Sequence, residues 1–181
     1  MQEISLHILD IAKNSVRAGA TLICLSLVED DEWLTFEIKD NGCGMSEEIL
    51  ETVKNPFTTT RTTRKVGLGI PLLTLTATQT GGNVDILSST GENHGTTISA
   101  SFCKTHIDCV PLGNMVDTLC TLIQGDPQID YIYAHDKKGK TVSLSTLDIK
   151  AVLGEDISLS HPEIMLWMKQ SLNEEYQNLD C

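Results

Sequence analysis

The chain has 181 residues, of which 40% are apolar and 21% charged, enough for a real core and too apolar for wholesale disorder. Acids outnumber bases 25 to 13, and the resulting net charge of −12 argues against a surface that binds nucleic acid or anionic lipid by charge. No run approaches the roughly 20 apolar residues that span a bilayer, and Met1-Gln2-Glu3-Ile4-Ser5 has no basic export signal, so a soluble, cytoplasmic protein is expected. Cys24, Cys43, Cys103, Cys109, Cys120 and Cys181 show no zinc-ligand spacing, and three of them sit inside apolar segments, so reduced thiols are expected.

From Glu3 to Ala18, Ile4, Ile8, Ile11, Ala12, Ser15 and Ala18 recur at helical period, with Gly19 as the stop. Glu3, His7, Asp10, Asn14 and Arg17 form a polar stripe along the same helix. Thr21–Val28 and Trp33–Lys39 read as strands of a hairpin around the acidic turn Glu29-Asp30-Asp31-Glu32. The glycine-rich turn Asp40-Asn41-Gly42-Cys43-Gly44-Met45 follows, and Ser46 then caps a helix to about Val53. Lys54 to Val66 has no apolar period and reads as a loop, closed by Gly67-Leu68-Gly69. A helix from Ile70 to about Thr80 ends at Gly81-Gly82, and strands are expected over Asn83–Ser88 and Thr96–Cys103. Beyond Pro111 come an amphipathic helix through Leu112–Ile123, strands Ile129–Ala134 and Thr141–Leu144, a short helix near Leu147–Leu153, and a last helix from Ser160 to about Tyr176. The order predicts an α+β sandwich of two layers, a mixed, mostly antiparallel sheet with helices on one face, over residues 1–105. Residues 106–181 would add a small α+β appendage.

Four features could carry chemistry. Asn14 could offer its amide oxygen to Mg²⁺; Asp10, one turn before, could orient or deprotonate a water; Arg17, one turn after, could reach a phosphate. Alone, these are the wet side of an amphipathic helix. Asp40 at a strand end could accept a hydrogen bond from an exocyclic amine, while Gly42 and Gly44 let backbone pass close to a flat ring; alone, they make a turn. The segment from Lys54 to Lys65 holds Lys54, Arg61, Arg64 and Lys65 and no acid, with Thr58, Thr59, Thr60, Thr62 and Thr63 among them. Gly67, Leu68 and Gly69 follow at a helix start, where free N–H groups favour a polyphosphate; the plain alternative is a solvated basic loop. Gly95-Thr96-Thr97 at a strand entrance has little weight by itself.

In this order and context, the four features resemble the histidine-kinase-like ATPases, the GHKL group of gyrases, heat-shock chaperones, mismatch-repair ATPases and histidine kinases. The resemblance runs from Met1 to about Cys103. Asp10 and Asn14 look like the family's N box, Asp40-Asn41-Gly42-Cys43-Gly44 its G1 box, Gly67-Leu68-Gly69 its G2 box and Gly95-Thr96 its last box. Asn55-Pro56-Phe57-Thr58-Thr59-Thr60 is similar to the lids of histidine kinases. The resemblance implies ATP bound between lid and sheet, with Asp40 on the adenine amino group, Asn14 on Mg²⁺, and Arg17, Thr58, Thr59, Thr60, Arg61, Arg64, Lys65, Gly67, Leu68, Gly69 and Thr97 among the nucleotide contacts. Asp10 stands where hydrolytic members usually carry glutamate, a departure that puts efficient water activation in doubt.

His7, His94, His106, His135 and His161 read as ordinary surface or satisfied histidines rather than phosphoacceptors. In the last helix, Met165, Trp167, Met168 and Leu172 form core or a partner surface, core being favoured. The layout is similar to small stand-alone ATP-binding proteins linked in some anaerobic bacteria with iron hydrogenases. Three functions compete: a hydrolase that releases phosphate alone, a protein kinase of the anti-sigma-factor type acting on a partner protein, and a non-catalytic interaction module with a vestigial pocket.

Overall fold

The computed structural model describes residues 3–54, 68–154 and 157–180. The elements run α1 (Ile4–Arg17), β1 (Leu22–Glu29), β2 (Trp33–Asp40), α2 (Glu47–Lys54), α3 (Gly69–Gln79), β3 (Val84–Ser89), β4 (Gly95–Cys103), α4 (Met115–Gly125), β5 (Asp130–Lys137), β6 (Lys140–Ser145), α5 (Thr146–Leu153) and α6 (Pro162–Asp180). Each predicted element forms, its ends displaced by a few residues.

The strands make one six-stranded sheet in the order β3-β4-β2-β1-β5-β6. Every pairing is antiparallel except that of β1 with β5, where Leu22 stands opposite Asp130 and Glu29 opposite Lys137. The stretch expected as an appendage therefore lends its hairpin to the same sheet, and the boundary at residue 106 falls between β4 and α4 without dividing it.

Alternation along each strand sends one set of side chains inward. Register then aligns these sets: Leu25 faces Ile38 and Tyr133, while Phe36 faces Ala100 and stacks on Phe102 at 6.0 Å between ring centroids. The buried stripes of α1 (Ile4, Ile8, Ile11, Ala12), α3 (Leu73, Ala77), α4 (Leu119, Leu122) and α6 (Met168, Leu172) belong to the same core. Ser26, Thr35, Glu37, Asp85 and Ser143 occupy the opposite face of the sheet, open to solvent, so the architecture is the two-layer sandwich expected. Of the apolar residues singled out in the last helix, Met168 and Leu172 are buried, Met165 is half-buried and Trp167 is exposed. Among the described residues no helix is long and apolar enough to cross a membrane.

His7 and His135 depart from expectation. Both are buried, and each leaves one ring nitrogen, Nδ1 and Nε2 respectively, without a hydrogen-bond partner among the described residues. His7 Nε2 meets Thr76 Oγ1 at 3.2 Å, and His135 Nδ1 meets the Tyr176 hydroxyl at 3.0 Å while its Nε2 stands 3.6 Å from Glu29 Oε2. Burial outweighs the opposing pull of Asp10 on His7 and of Glu29 on His135, and holds both below the ordinary histidine value of 6.5. A base depressed in the folded state is protonated first in the unfolded chain. The stability it supports is therefore complete above its unfolded value and lost as pH falls toward its folded one. Urea unfolding near pH 7.5 and near pH 5.5 is expected to give the lower stability at the acid pH, and His135→Asn to flatten that dependence.

Candidate nucleotide site

On β2 the inward positions Leu34, Phe36 and Ile38 are followed by Asp40, so the alternation that builds the core also points a carboxylate inward at the strand's end. Asp40 is 9% exposed, and a carboxylate so placed needs donors. It has three: Ser15 Oγ donates to Oδ2 at 2.5 Å, and the backbone N–H groups of Gly42 and Thr96 donate to Oδ1 at 2.9 and 3.2 Å. A carboxylate offers about four lone-pair positions, which leaves one, on Oδ2.

Two turns close around this residue. A Cβ on Gly44, whose φ is +70°, would fall 1.8 Å from the Ser89 carbonyl oxygen; one on Gly95, at φ +144°, would fall 2.3 Å from that of Asp40. Only glycine permits these backbones to approach so closely. Further bonds fasten the turns: His94 Nδ1 donates to the Gly42 carbonyl at 2.7 Å, and the Met45 N–H donates to Ser88 Oγ at 2.8 Å. Ser88 Oγ also meets Thr96 Oγ1 at 2.8 Å. A Cβ on Gly42 would lie 2.9 Å from the Ala18 Cβ, so the room left by both G1 glycines is taken up by the protein's own chain.

Asp10, Asn14 and Arg17 lie along one face of α1, the first two half-buried and the third exposed. The Arg17 guanidinium donates to Asn14 Oδ1 at 2.8 Å. Gly69 opens α3, and a Cβ there would fall 2.0 Å from Asp10 Oδ2 and 3.8 Å from Asn14 Nδ2. The first turn of α3, with its positive dipole end, thus lies against the polar face of α1. Leu68, just before it, is exposed. Since Ser15 joins the next residue of α1 to Asp40, this helix links the β2 end to the α3 start. Among the described residues no group of three or more His, Cys, Asp or Glu side chains could hold a metal. A cation here would have to take the Asn14 amide oxygen, waters and oxygens brought by a ligand, a set suited to Mg²⁺.

Of the residues put forward from sequence, Asp10, Asn14, Arg17, Asp40, Gly42, Gly44, Leu68 and Gly69 come together along α1, the β2 end and the α3 start. Thr97 does not: it pairs with Lys39 and Leu87 on the open face, whereas Thr96, one residue earlier, pairs with Asp40 and Ser88. Thr58, Thr59, Thr60, Arg61, Arg64, Lys65 and Gly67 lie outside the described residues. Sequence reasoning passed over Ser15, counting it in the apolar stripe of α1. A hydroxyl in an otherwise apolar stripe was the available signal. Ser88 and His94 gave none, because only strand register brings them to the β2 end.

No curated protein matches the chain. Among solved structures, the chain is similar to the N-terminal domain of a DNA repair protein, with 18% identity and a TM-score of 0.52 over 86% of this chain and 58% of that one. It is also similar to the Aquifex aeolicus MutL ATPase domain complexed with ADP, with 11% identity and a TM-score of 0.53 over 84% of this chain and 69% of that one. The chain therefore spans less than two thirds of the first structure, and at these identities the likeness is one of fold. A model of the family described as histidine kinase-, DNA gyrase B- and HSP90-like ATPase matches residues 2–106. Those residues include α1, Asp40 with its three donors, and the start of α3, and the chain belongs to that family.

Proposed function

We propose that the chain binds ATP with Mg²⁺ between α1, the β2 end and the start of α3, and acts as a nucleotide-controlled switch or as a kinase toward a partner protein. The observation that carries this reading is Asp40: a buried carboxylate held by three donors, with one acceptor position left for the amino group of adenine. Magnesium, when bound, would supply charge neutralisation for the phosphates. Asn14 Oδ1 is the atom suited to hold it. Arg17 donates to that same oxygen, so its guanidinium would leave Asn14 and turn to a phosphate as the ion arrives. The N–H groups opening α3, and the basic and threonine-rich segment that includes Thr58, Thr59, Thr60, Arg61, Arg64, Lys65 and Gly67, would take the rest of the triphosphate.

Asp10 is the group for orienting a water or receiving a proton, and it lies against Gly69 at the phosphate end. ATP with Mg²⁺ should raise the melting temperature of the full chain; a melting curve unchanged at millimolar ATP counts against the whole reading. Hydrolysis and transfer part on Asp10. If the chain hydrolyses ATP by itself, Asp10→Asn is expected to lower phosphate release at least about a hundredfold and to leave ATP affinity within a few-fold. As a kinase, the wild type would release no phosphate alone and would label a partner protein from γ-labelled ATP.

A further inference from the structure

We infer that Ser15 is a positioning residue that sets the base selectivity of this site by occupying one acceptor position of Asp40; the inference rests on the nucleotide reading above. Hydroxyls inside helices usually bond back to their own helix. In α3 that is what happens: Thr74 Oγ1 donates to the Ile70 carbonyl at 3.0 Å, Thr76 to Leu72 at 2.9 Å and Thr78 to Thr74 at 2.8 Å. Ser15, 4% exposed, instead reaches across to the carboxylate of a residue 25 positions away. With Ser15 on Oδ2 and two backbone N–H groups on Oδ1, Asp40 can only accept, and it can accept once more.

That arrangement discriminates between purines by chemistry alone. The exocyclic amine of a 6-aminopurine brings a donor to the open position. A 6-oxopurine brings a carbonyl, and two acceptors face each other with no donor between them. Without the Ser15 hydroxyl, Oδ2 has two open positions and can hold a water, which donates to a 6-oxo group as readily as it accepts from an amine. Base selectivity should fall, while the phosphate-binding groups on α1 and α3 are unaffected.

The test is equilibrium binding of ATP, ADP and inosine triphosphate to the full chain as wild type, Ser15→Ala and Ser15→Thr. Ser15→Ala is expected to weaken ATP and ADP by the same factor, about tenfold, the scale of one charge-assisted hydrogen bond. Inosine triphosphate should change by less than about twofold, so that the preference for ATP over it falls nearly tenfold. Ser15→Thr keeps the hydroxyl and should keep the wild-type preference. If Ser15→Ala does not fold, Ser15→Cys, with a weak thiol donor of similar size, carries the same comparison. A preference unchanged in Ser15→Ala, all three ligands weakening together, overturns the inference and makes Ser15 a packing residue. So does a wild type that binds ATP and inosine triphosphate equally. A wild type that binds no nucleotide refutes instead the reading of the site on which the inference stands.

Discussion

Asp40→Asn is expected to abolish the thermal stabilisation that ATP with Mg²⁺ gives the wild-type chain. At a ligand concentration about a hundred times the dissociation constant, binding to the folded state contributes about 2.7 kcal/mol, which for a domain of this size is a rise of about 5–10 °C. Asparagine keeps the volume of Asp40 and one oxygen to accept from Gly42 and Thr96, but it turns the atom that faces Ser15 into a donor. The free protein should then melt a few degrees lower, with the Ser15 hydroxyl left to find another acceptor, and the ATP response should vanish. Asp40→Ala would lose the response too. It also strands three donors, the two buried ones at about 1–3 kcal/mol each, so its melting curve mixes the two effects. A full ATP response in Asp40→Asn would remove this carboxylate from the ligand.

Gly44→Ala should be the most damaging single change at the site. Its backbone lies in the left-handed region, where an alanine costs about 1 kcal/mol, and its Cβ would overlap the Ser89 carbonyl, main chain that cannot swing aside. Separating the two turns would also disturb the Met45 to Ser88 bond beside Thr96. A loss of about 2–4 kcal/mol is expected in urea unfolding, together with weaker nucleotide binding. Gly91→Ala is the control: its φ is +98° but nothing lies within 4 Å of its Cβ, so it should lose only about 1 kcal/mol and leave binding alone. Equal losses in the two variants would show that conformation rather than the packing of the turns decides the effect.

Much of this was legible in the residues because periodicity is a local property. The apolar steps Ile4-Ile8-Ile11 and the alternation Leu34-Phe36-Ile38 required no knowledge of the rest of the chain, and Asp40 follows directly as the next inward position. What depends on register was not legible. Whether Thr96 or Thr97 faces Asp40 turns on a shift of one residue, which exchanges the two faces of β4. The parallel pairing of β5 with β1 joins residues more than a hundred positions apart, and no local pattern announces it. That His7 and His135 each find one partner, Thr76 and Tyr176, on a helix far along the chain and leave the other ring nitrogen without one among the described residues was likewise not legible.

The most direct measurement is the structure of the full chain with ATP and Mg²⁺. The account predicts the adenine amino group within hydrogen-bond distance of Asp40, the ion on Asn14 Oδ1 with Arg17 turned away from it, and the phosphates at the first turn of α3. A nucleotide lying elsewhere on the molecule, or an Asp40 that touches only Ser15, Gly42 and Thr96 at saturating ATP, contradicts it.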